Sequence, residues 1–399
     1  MNWDHALKEW FATHEAEGIE LLADLVLQNT VNPPGNEYLA AQVAAAYLTR
    51  NDIASSIHEA APGRANLLAF VGSGGPVTVV AAHLDVVPAG EGWHTDPFTP
   101  TIKDGCLYGR GVTDNKGPLA SLLLLAAFLK RHERQFKGTL VVAAVADEEC
   151  GSAKGMKWLL DQHLLHADYA IVPDTGESIG KVSCGEKGLL HMEVVFHGRQ
   201  AHASTPEQGV SAIWAAHAFL ADVREMFGDT IGYCTHPAHE LLSAPSINVG
   251  SIHAGEAYNI VPGSCTIRLD IRYLPGQTAE DYRARFSSCA TKIRERGLCI
   301  SFDIVTKSSM QPYTIDADSP LVSAVRAAVK TVADVDVARI GMSGTTVCKQ
   351  LIAHGIPAIG WSQEAFHQAH RADEHLALKE IPLFGHALGL AFLKLGGNW

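Results

Sequence analysis

The sequence predicts an α/β protein in which a mixed sheet flanked by helices is interrupted by an inserted, ferredoxin-like α+β domain. Two observations predict this class. Apolar runs at residues 76–85, 139–146 and 168–173 have the uninterrupted Val- and Ala-rich composition of strands buried on both faces. Between residues 183 and 306 the pattern changes to a β-α-β-β-α-β order, which is the ferredoxin-like arrangement.

The 399 residues are enough for two or three domains. We predict a catalytic domain in two parts, residues 1–182 and 307–399, with the inserted domain at 183–306. The first part opens with helical segments between residues 4 and 50, separated by a loop at Asn32-Pro-Pro-Gly35. A further helix begins near Pro118 and ends near Lys130, since proline suits a first helical turn.

The remaining elements follow from alternation and periodicity. In the inserted domain we expect strands at 190–197, 246–252, 264–273 and 298–305, and helices at 210–224 and 279–296. In the last part we expect a helix at 319–332, a strand at 356–361 and a terminal helix from Leu376. Residues 87–110 have no periodicity and are predicted to be a long functional loop.

Composition narrows the class of function. Basic residues number 31 against 43 acidic ones, a net charge of −12, which disfavours binding to nucleic acid or an anionic membrane. No segment has the length of apolar sequence that a spanning helix needs, and the N-terminus lacks a signal-peptide pattern. The eight cysteines form no C-x-x-C pair. We expect a cytoplasmic protein.

Acidic and imidazole side chains follow each of the three buried runs, where open α/β sheets carry their chemistry. His83 and Asp85 end the first run, Glu148 and Glu149 follow the second, and Asp174 follows the third. Asp114 precedes a predicted helix N-terminus, which favours its charge. A dinuclear metal site needs such histidines and carboxylates on several elements, with one carboxylate left free as a base.

Four motifs give the chain its resemblance to a known family. They are His83-Leu-Asp85, Gly109-Arg-Gly-Val-Thr-Asp114-Asn-Lys-Gly117, Asp147-Glu-Glu149 and Gly198-Arg-Gln-Ala-His202. In this order they resemble the family of acetylornithine deacetylase, succinyl-diaminopimelate desuccinylase, aminoacylase and bacterial glutamate carboxypeptidase. The resemblance implies a zinc-exopeptidase-like fold, two Zn²⁺ ions per chain, with Co²⁺ or Mn²⁺ as substitutes, and hydrolysis of an N-acyl amino acid or a short peptide.

The resemblance also implies a role for each site residue. His83 and Asp174 would hold one zinc, Glu149 and His370 the other, and Asp114 would bridge them. Glu148 would be the general base. Asp85 would orient His83, as carboxylates beside metal-binding imidazoles do. His370 is chosen over His367 because His370-Arg-Ala-Asp-Glu374 has the family's His-x-x-x-Glu spacing.

The inserted domain is expected to act as a lid and dimerisation domain. Its His202 would stabilise the oxyanion, in its own chain or across a homodimer. Substrate contacts are predicted at Asn259 and Arg272, and at Gly344 and Thr345 in a loop where the family's Asp is replaced by Val347.

The sequence bears on three other functions. A dipeptidase of the same family stays open, because Gly185-Glu-Lys-Gly188 resembles that branch. A catalytically silent binding or dimerisation relative should have lost a ligand or Glu148, and neither is lost. A nucleotide-binding protein would need a G-x-G-x-x-G or Walker turn after a strand, which the sequence lacks.

Overall fold

The computed structural model describes residues 1–174, 178–227, 241–242, 244–363 and 368–399. The chain divides into two compact units. The first unit comprises Met1–Cys184, Ile315–Ile340 and Thr346–Trp399, and the second comprises Gly185–Thr314 and Gly341–Thr345. The assignment of catalytic and lid roles to residues 1–182, 183–306 and 307–399 stays a prediction. In the described part of the chain, no helix combines the length and apolarity required to span a bilayer.

The secondary structure alternates between helices and strands. The helices are α1 (Trp3–Thr13), α2 (Glu15–Leu27), α3 (Glu37–Arg50), α4 (Lys116–Arg131), α5 (Met156–Asp161), α6 (Ala212–Phe227), α7 (Ala279–Glu295), α8 (Pro320–Ala333), α9 (Cys348–Ala353) and α10 (Glu380–Leu395). The strands are β1 (Ser55–Ala61), β2 (Arg64–Ser73), β3 (Val77–His83), β4 (Thr101–Lys103), β5 (Cys106–Tyr108), β6 (Gly138–Val145), β7 (Tyr169–Val172), β8 (Lys181–Glu186), β9 (Gly188–His197), β10 (Ser246–Ala254), β11 (Ser264–Tyr273), β12 (Ser301–Met310), β13 (Tyr313–Thr314), β14 (Ala338–Met342), β15 (Ala358–Gly360) and β16 (His375–Ala377).

The first unit is built on a mixed sheet with the strand order β1-β2-β6-β3-β7-β15-β8. Its centre is parallel, because β3 pairs in parallel with both β6 and β7, and β7 pairs in parallel with β15. β2 pairs antiparallel to β6. β6 is buried along its whole length, as its apolar sequence predicts, and α4 packs against it and β3. The carboxyl ends of β3, β6 and β7 therefore meet at one edge.

The second unit is a four-stranded antiparallel sheet with the order β10-β11-β9-β12. Helices α6 and α7 pack on one face, where alternate apolar residues of the strands form the core with Phe219 and Phe286. The order β9-α6-β10-β11-α7-β12 is the ferredoxin-like arrangement. The predicted fold class, a mixed sheet flanked by helices with an inserted α+β domain, is confirmed.

Two local predictions were wrong, and two strands were missed. The terminal helix begins at Glu380 rather than Leu376, because His375–Ala377 form β16 and pair with β5. The segment 87–110 contains β4 and β5, so it is not entirely irregular. Strands β1 and β2 were not predicted at all; β2 carries the buried polar residues Arg64 and Asn66, which disguise its pattern.

Candidate active site and metal centre

The carboxyl edge of the first unit's sheet gathers six of the predicted site residues. They are His83, Asp114, Glu148, Glu149, Asp174 and His370. Ligand atoms of His83, Glu148 and Asp174 lie within 4.8 Å of one another, as do those of His83, Asp114 and Glu149. His370 joins the cluster through Nε2, which is 3.2 Å from both Asp114 and Glu149. His367, the alternative to His370, lies outside the described residues.

His83 is the last residue of β3 and is buried. Its Nδ1 lies 2.9 Å from the backbone carbonyl of Asp85, to which a ring N–H donates. Its Nε2 points into the cluster, 2.7 Å from Asp114 Oδ1 and 3.9 Å from Asp174 Oδ1. A histidine held through Nδ1–H presents the Nε2 lone pair that a metal ion requires.

Asp85 differs in detail from its predicted role. The backbone carbonyl of Asp85, rather than its carboxylate, is hydrogen-bonded to His83, and Oδ1 is 3.7 Å from Nδ1. The carboxylate instead accepts the backbone N–H of Glu148 at 3.0 Å and of Glu149 at 3.2 Å. These two residues start a short 3₁₀ turn. Asp85 therefore fixes the turn that presents both acidic side chains.

Asp114 precedes α4 in a tightly held loop, and its peptide bond to Asn115 is cis. One of its oxygens faces His83, and the other faces His370 at 3.2 Å. Asn115 donates from Nδ2 to the carbonyl of Pro173 at 2.7 Å, next to Asp174. This bond ties the Asp114 loop to the end of β7.

Glu374 organises the Asp114 loop from beneath. Its buried carboxylate accepts from the backbone N–H of Gly111, Thr113 and Asp114 at 3.0, 2.8 and 3.3 Å, and from the Thr113 hydroxyl at 2.8 Å. Buried Arg110 completes the set at 2.7 Å. Because Glu374 lies four residues after His370, one short segment supplies an imidazole to the cluster and also shapes the loop of Asp114.

Burial disfavours charge on two of the carboxyl groups. Burial raises the pKa of Glu148 to about 8, with the negative charges of Glu149, Asp85 and Asp114 adding to it and His83 opposing it. Burial also raises the pKa of Asp174 well above its ordinary value, reinforced by Glu148 and Asp114. Without another source of positive charge, this cluster therefore retains protons at neutral pH.

The pKa values of the two imidazoles and of Asp114 are shifted in the directions expected of close ion pairs. Burial opposes charge on His83, but Asp114, Asp174 and Glu148 together outweigh it and raise the pKa of His83 well above its ordinary value. Hydrogen bonds to Asp114 and Glu149 raise the pKa of His370 to about 10. Burial opposes charge on Asp114 too, but the two histidines lower its pKa below the ordinary value.

The donor set fits a pair of small divalent cations. Imidazole nitrogen and carboxylate oxygen are the ligands of hydrolytic zinc sites, and donors around a tetrahedral ion with bonds of about 2.0–2.1 Å lie about 3.3 Å apart. The nitrogen–oxygen separations of 2.7 to 3.9 Å bracket that value. Two cations would also supply the positive charge that the buried carboxylates lack.

The second unit holds the remaining predicted residues. His202 is exposed, and its Nδ1 accepts the backbone N–H of Ser204 at 3.2 Å. Because a backbone N–H can only donate, the neutral ring carries its proton on Nε2 and presents a donor there. Asn259 lies beside His202. Its backbone carbonyl accepts the backbone N–H of Ala203 at 3.0 Å, and the next residue, Ile260, forms an isolated antiparallel β-bridge with His202.

Arg272 and Thr345 come together in the same unit. Asp270 holds the guanidinium through two hydrogen bonds of 2.7 and 3.0 Å, and Arg272 Nη1 lies 3.4 Å from the Thr345 hydroxyl. Gly344 precedes Thr345 in that loop. A guanidinium fixed in this way suits recognition of a carboxylate.

Comparison with known proteins places the chain in a family. A model of peptidase family M20/M25/M40 matches residues 79–391. The chain is 32% identical over 298 residues to the succinyl-diaminopimelate desuccinylase of Acinetobacter baylyi, covering 72% of this chain and 75% of the relative.

Solved structures share the fold. A tripeptidase from Staphylococcus aureus superposes with a TM-score of 0.78 at 20% identity, covering 96% of this chain and 99% of the tripeptidase. A dinuclear metal-binding M20 peptidase from Bacillus subtilis has a TM-score of 0.72 at 14% identity, covering 97% and 100% of the two chains. Because the family model spans most of the sequence, the chain belongs to peptidase family M20/M25/M40 and is a metallohydrolase that acts on amide bonds.

Proposed function

We propose that this chain is a dinuclear zinc hydrolase that cleaves an N-acyl amino acid or a short peptide, with Glu148 as the general base. The single observation that carries the proposal is the convergence of four carboxylates and two imidazoles at one sheet edge, with Glu148 among them. Such an excess of buried and half-buried carboxylates has little use in packing, because each charge is expensive to bury unpaired.

Asp114 would be a ligand to both ions. Its two oxygens face different imidazoles, Oδ1 toward His83 and Oδ2 toward His370. His83 with Asp174 would hold one ion, and His370 with Glu149 the other. Co²⁺ or Mn²⁺ would be accepted at the same sites, since the donor set is not specific to zinc.

Bound ions would supply Lewis acidity, which lowers the pKa of water and polarises the amide carbonyl. Glu148 accepts the proton of the attacking water and returns it to the leaving amine. Its position suits this role, because Asp85 anchors its backbone N–H and its carboxylate lies within 4.8 Å of ligand atoms on His83 and Asp174.

His202 is the proposed oxyanion donor. Its Nε2–H is oriented by the acceptor role of Nδ1, so a neutral ring can donate to developing negative charge. His202 belongs to the second unit, and in this proposal it acts either in the site of its own chain or across a homodimer. We infer a homodimer formed through the inserted domain; a cytoplasmic location stays a prediction.

Arg272, with Thr345, Gly344 and Asn259, is proposed to bind the carboxylate of the substrate. The paired contacts of Arg272 with Asp270 support this, because they restrict the guanidinium before any ligand arrives. An N-acyl amino acid and a peptide both present such a carboxylate. A dipeptidase is therefore the alternative substrate class, whereas a silent relative is disfavoured by the complete ligand set.

The test is a hydrolysis screen of N-succinyl and N-acetyl amino acids against dipeptides and tripeptides, using protein stripped by chelator and reloaded with Zn²⁺, Co²⁺ or Mn²⁺. We expect one class to be cleaved only after metal is restored. Undiminished hydrolysis by protein whose metal content is shown to be nil would overturn the proposal.

A further inference from the structure

The segment 32–37, which contains the predicted loop at Asn32-Pro-Pro-Gly35, is hydrogen-bonded to two aspartates beside the candidate active site, Asp85 and Asp147. Asn32 is buried, and its Nδ2 donates to Asp85 Oδ2 at 2.9 Å and to Asp147 Oδ1 at 3.2 Å. Glu37, at the start of α3, accepts the backbone N–H of Asp147 at 3.2 Å. One short segment thus holds the two aspartates that flank the acidic turn.

Asp85 and Asp147 set the conformation of the turn at Glu148 and Glu149. Asp85 accepts both backbone N–H groups of the turn. Asp147 immediately precedes it with a left-handed φ of 64°, a conformation that is uncommon outside glycine and needs support. The Asp147 carboxylate accepts the backbone N–H of Lys154 at 2.9 Å, which closes the loop after the turn.

The charges beneath the turn explain why an amide stands at position 32. Arg64 is shared, binding Glu37 at 2.6 and 2.7 Å and Asp147 at 2.7 Å. Gly35, with a φ of 79°, leaves room for this guanidinium, since a Cβ there would lie 2.4 Å from Arg64 Nε. Asn32 adds two N–H donors without adding charge, whereas an aspartate would place a third carboxylate between two others.

We propose that Asn32 is a positioning residue for Glu148 and Glu149, acting through Asp85 and Asp147. The catalytic role of Glu148 in this inference rests on the proposed function. The claim that Asn32 orients the turn of Glu148 and Glu149 does not depend on that role. Partners bonded directly to metal ligands typically change metal affinity or activity by about 10–100-fold when they are removed. Asn32 lies one bond further out, so its effect should fall at the lower end of that range.

The test compares Asn32→Asp and Asn32→Ala with a matched control. Asn32→Asp keeps the shape of the side chain but replaces the NH₂ donor with an acceptor oxygen. Asn32→Ala removes the donor without adding charge, and it provides the test if the aspartate variant fails to fold. Thr30→Val is the control, because buried Thr30 lies two residues away and bonds the carbonyl of Leu84 at 2.6 Å without touching either aspartate.

Three measurements are made on each variant: the affinity for Co²⁺ by chelator competition, the absorption spectrum of the Co²⁺ form, and the steady-state kinetics (kcat and KM) with the substrate found by the screen. We expect the Asn32 variants to lose about 10-fold in Co²⁺ affinity or kcat, with an altered spectrum and an unchanged KM. Thr30→Val should lower thermal stability and leave the Co²⁺ affinity, the spectrum, kcat and KM at wild-type values.

Wild-type spectrum and affinity in folded Asn32 variants would overturn the inference, as would equal losses in Thr30→Val. Glu148→Gln separates this result from a failure of the proposed function. If Glu148→Gln keeps kcat, the base assignment fails, yet an altered Co²⁺ spectrum in the Asn32 variants still establishes that Asn32 positions the turn.

Discussion

Replacing Glu374 by glutamine tests the claim that one buried carboxylate shapes the Asp114 loop. The Glu374→Gln change keeps the side-chain volume but turns one oxygen into an NH₂ donor. If the NH₂ group takes the Oε1 position, it faces the N–H groups of Thr113 and Asp114; in the Oε2 position it faces Gly111 and Arg110. Both orientations leave buried donors facing a donor.

The loss of stability expected for Glu374→Gln follows from the burial of the Arg110–Glu374 ion pair. Arg110 and Glu374 are both almost completely buried. Removing one partner of a buried ion pair typically costs about 3–5 kcal/mol, because the other charge is left uncompensated. With roughly 2–4 °C per kcal/mol for a domain of about 150–250 residues, the first unit should melt roughly 10 °C lower.

Calorimetry of the metal-free protein is the assay, since bound metal would add its own stabilisation. Glu133→Gln is the matched control: its ion pair with Lys130 is about one third exposed, so the same chemical change should cost under about 1 kcal/mol. The Glu374 variant should also bind metal more weakly. Equal melting temperatures for both variants, with unchanged metal affinity, would refute the reasoning.

Three further predictions concern the cluster and the second unit. His202→Ala should lower kcat by about 10²–10³ with little change in KM, and mixed dimers with Glu148→Gln should recover one intact site if His202 acts across subunits; an unchanged kcat would remove it from catalysis. Arg272→Lys should raise KM by roughly 10–100-fold for substrates with a carboxylate and have no such effect on their amides. The metal-free protein should lose stability as pH rises from about 4.5 to about 8, because Glu148, whose pKa is raised to about 8, and Asp174 keep protons that the unfolded chain has released. Melting temperatures measured across this pH range should fall in the presence of chelator and fall much less in the presence of Zn²⁺. Equal dependence of the melting temperature on pH in both conditions would contradict the prediction.

The parallel centre of the sheet could be predicted because its strands are apolar without interruption. β3, β6 and β7 are buried on both faces, and their sequence contains little else that could signal another structure. The edge at which His83 and Asp174 lie then follows from topology. The grouping of these side chains therefore required no knowledge of distant contacts.

The missed features depend on partners that lie far along the chain. Asn32 is recognisable only once Asp85 and Asp147 are placed beside it, 53 and 115 residues away. The spacing of Glu374 from His370 is visible in the sequence, but the five donors that Glu374 accepts from lie more than 250 residues earlier. The sequence signal for Asn32 is a polar residue within a loop motif. This signal alone does not distinguish a residue that forms a turn from a residue that serves the site.

β2 and β16 were missed for related physical reasons. β2 carries Arg64 and Asn66 on a buried strand because both serve the site edge, which masks the apolar signature. β16 spans three residues and pairs with β5. Pairing partners of such short strands are decided by tertiary structure rather than by local propensity.

In the proposed site, Glu148 is a free base beside three metal-binding carboxylates, those of Asp114, Glu149 and Asp174, and beside two histidines. The most direct measurement determines metal content and kcat together for Glu148→Gln and Glu149→Gln. We predict that Glu148→Gln keeps two ions per chain and loses about 10²–10⁴ in kcat, because an amide cannot accept the proton of water. Glu149→Gln should instead lose one ion. A fall in metal content in Glu148→Gln, or a loss of kcat below about tenfold, would contradict the account.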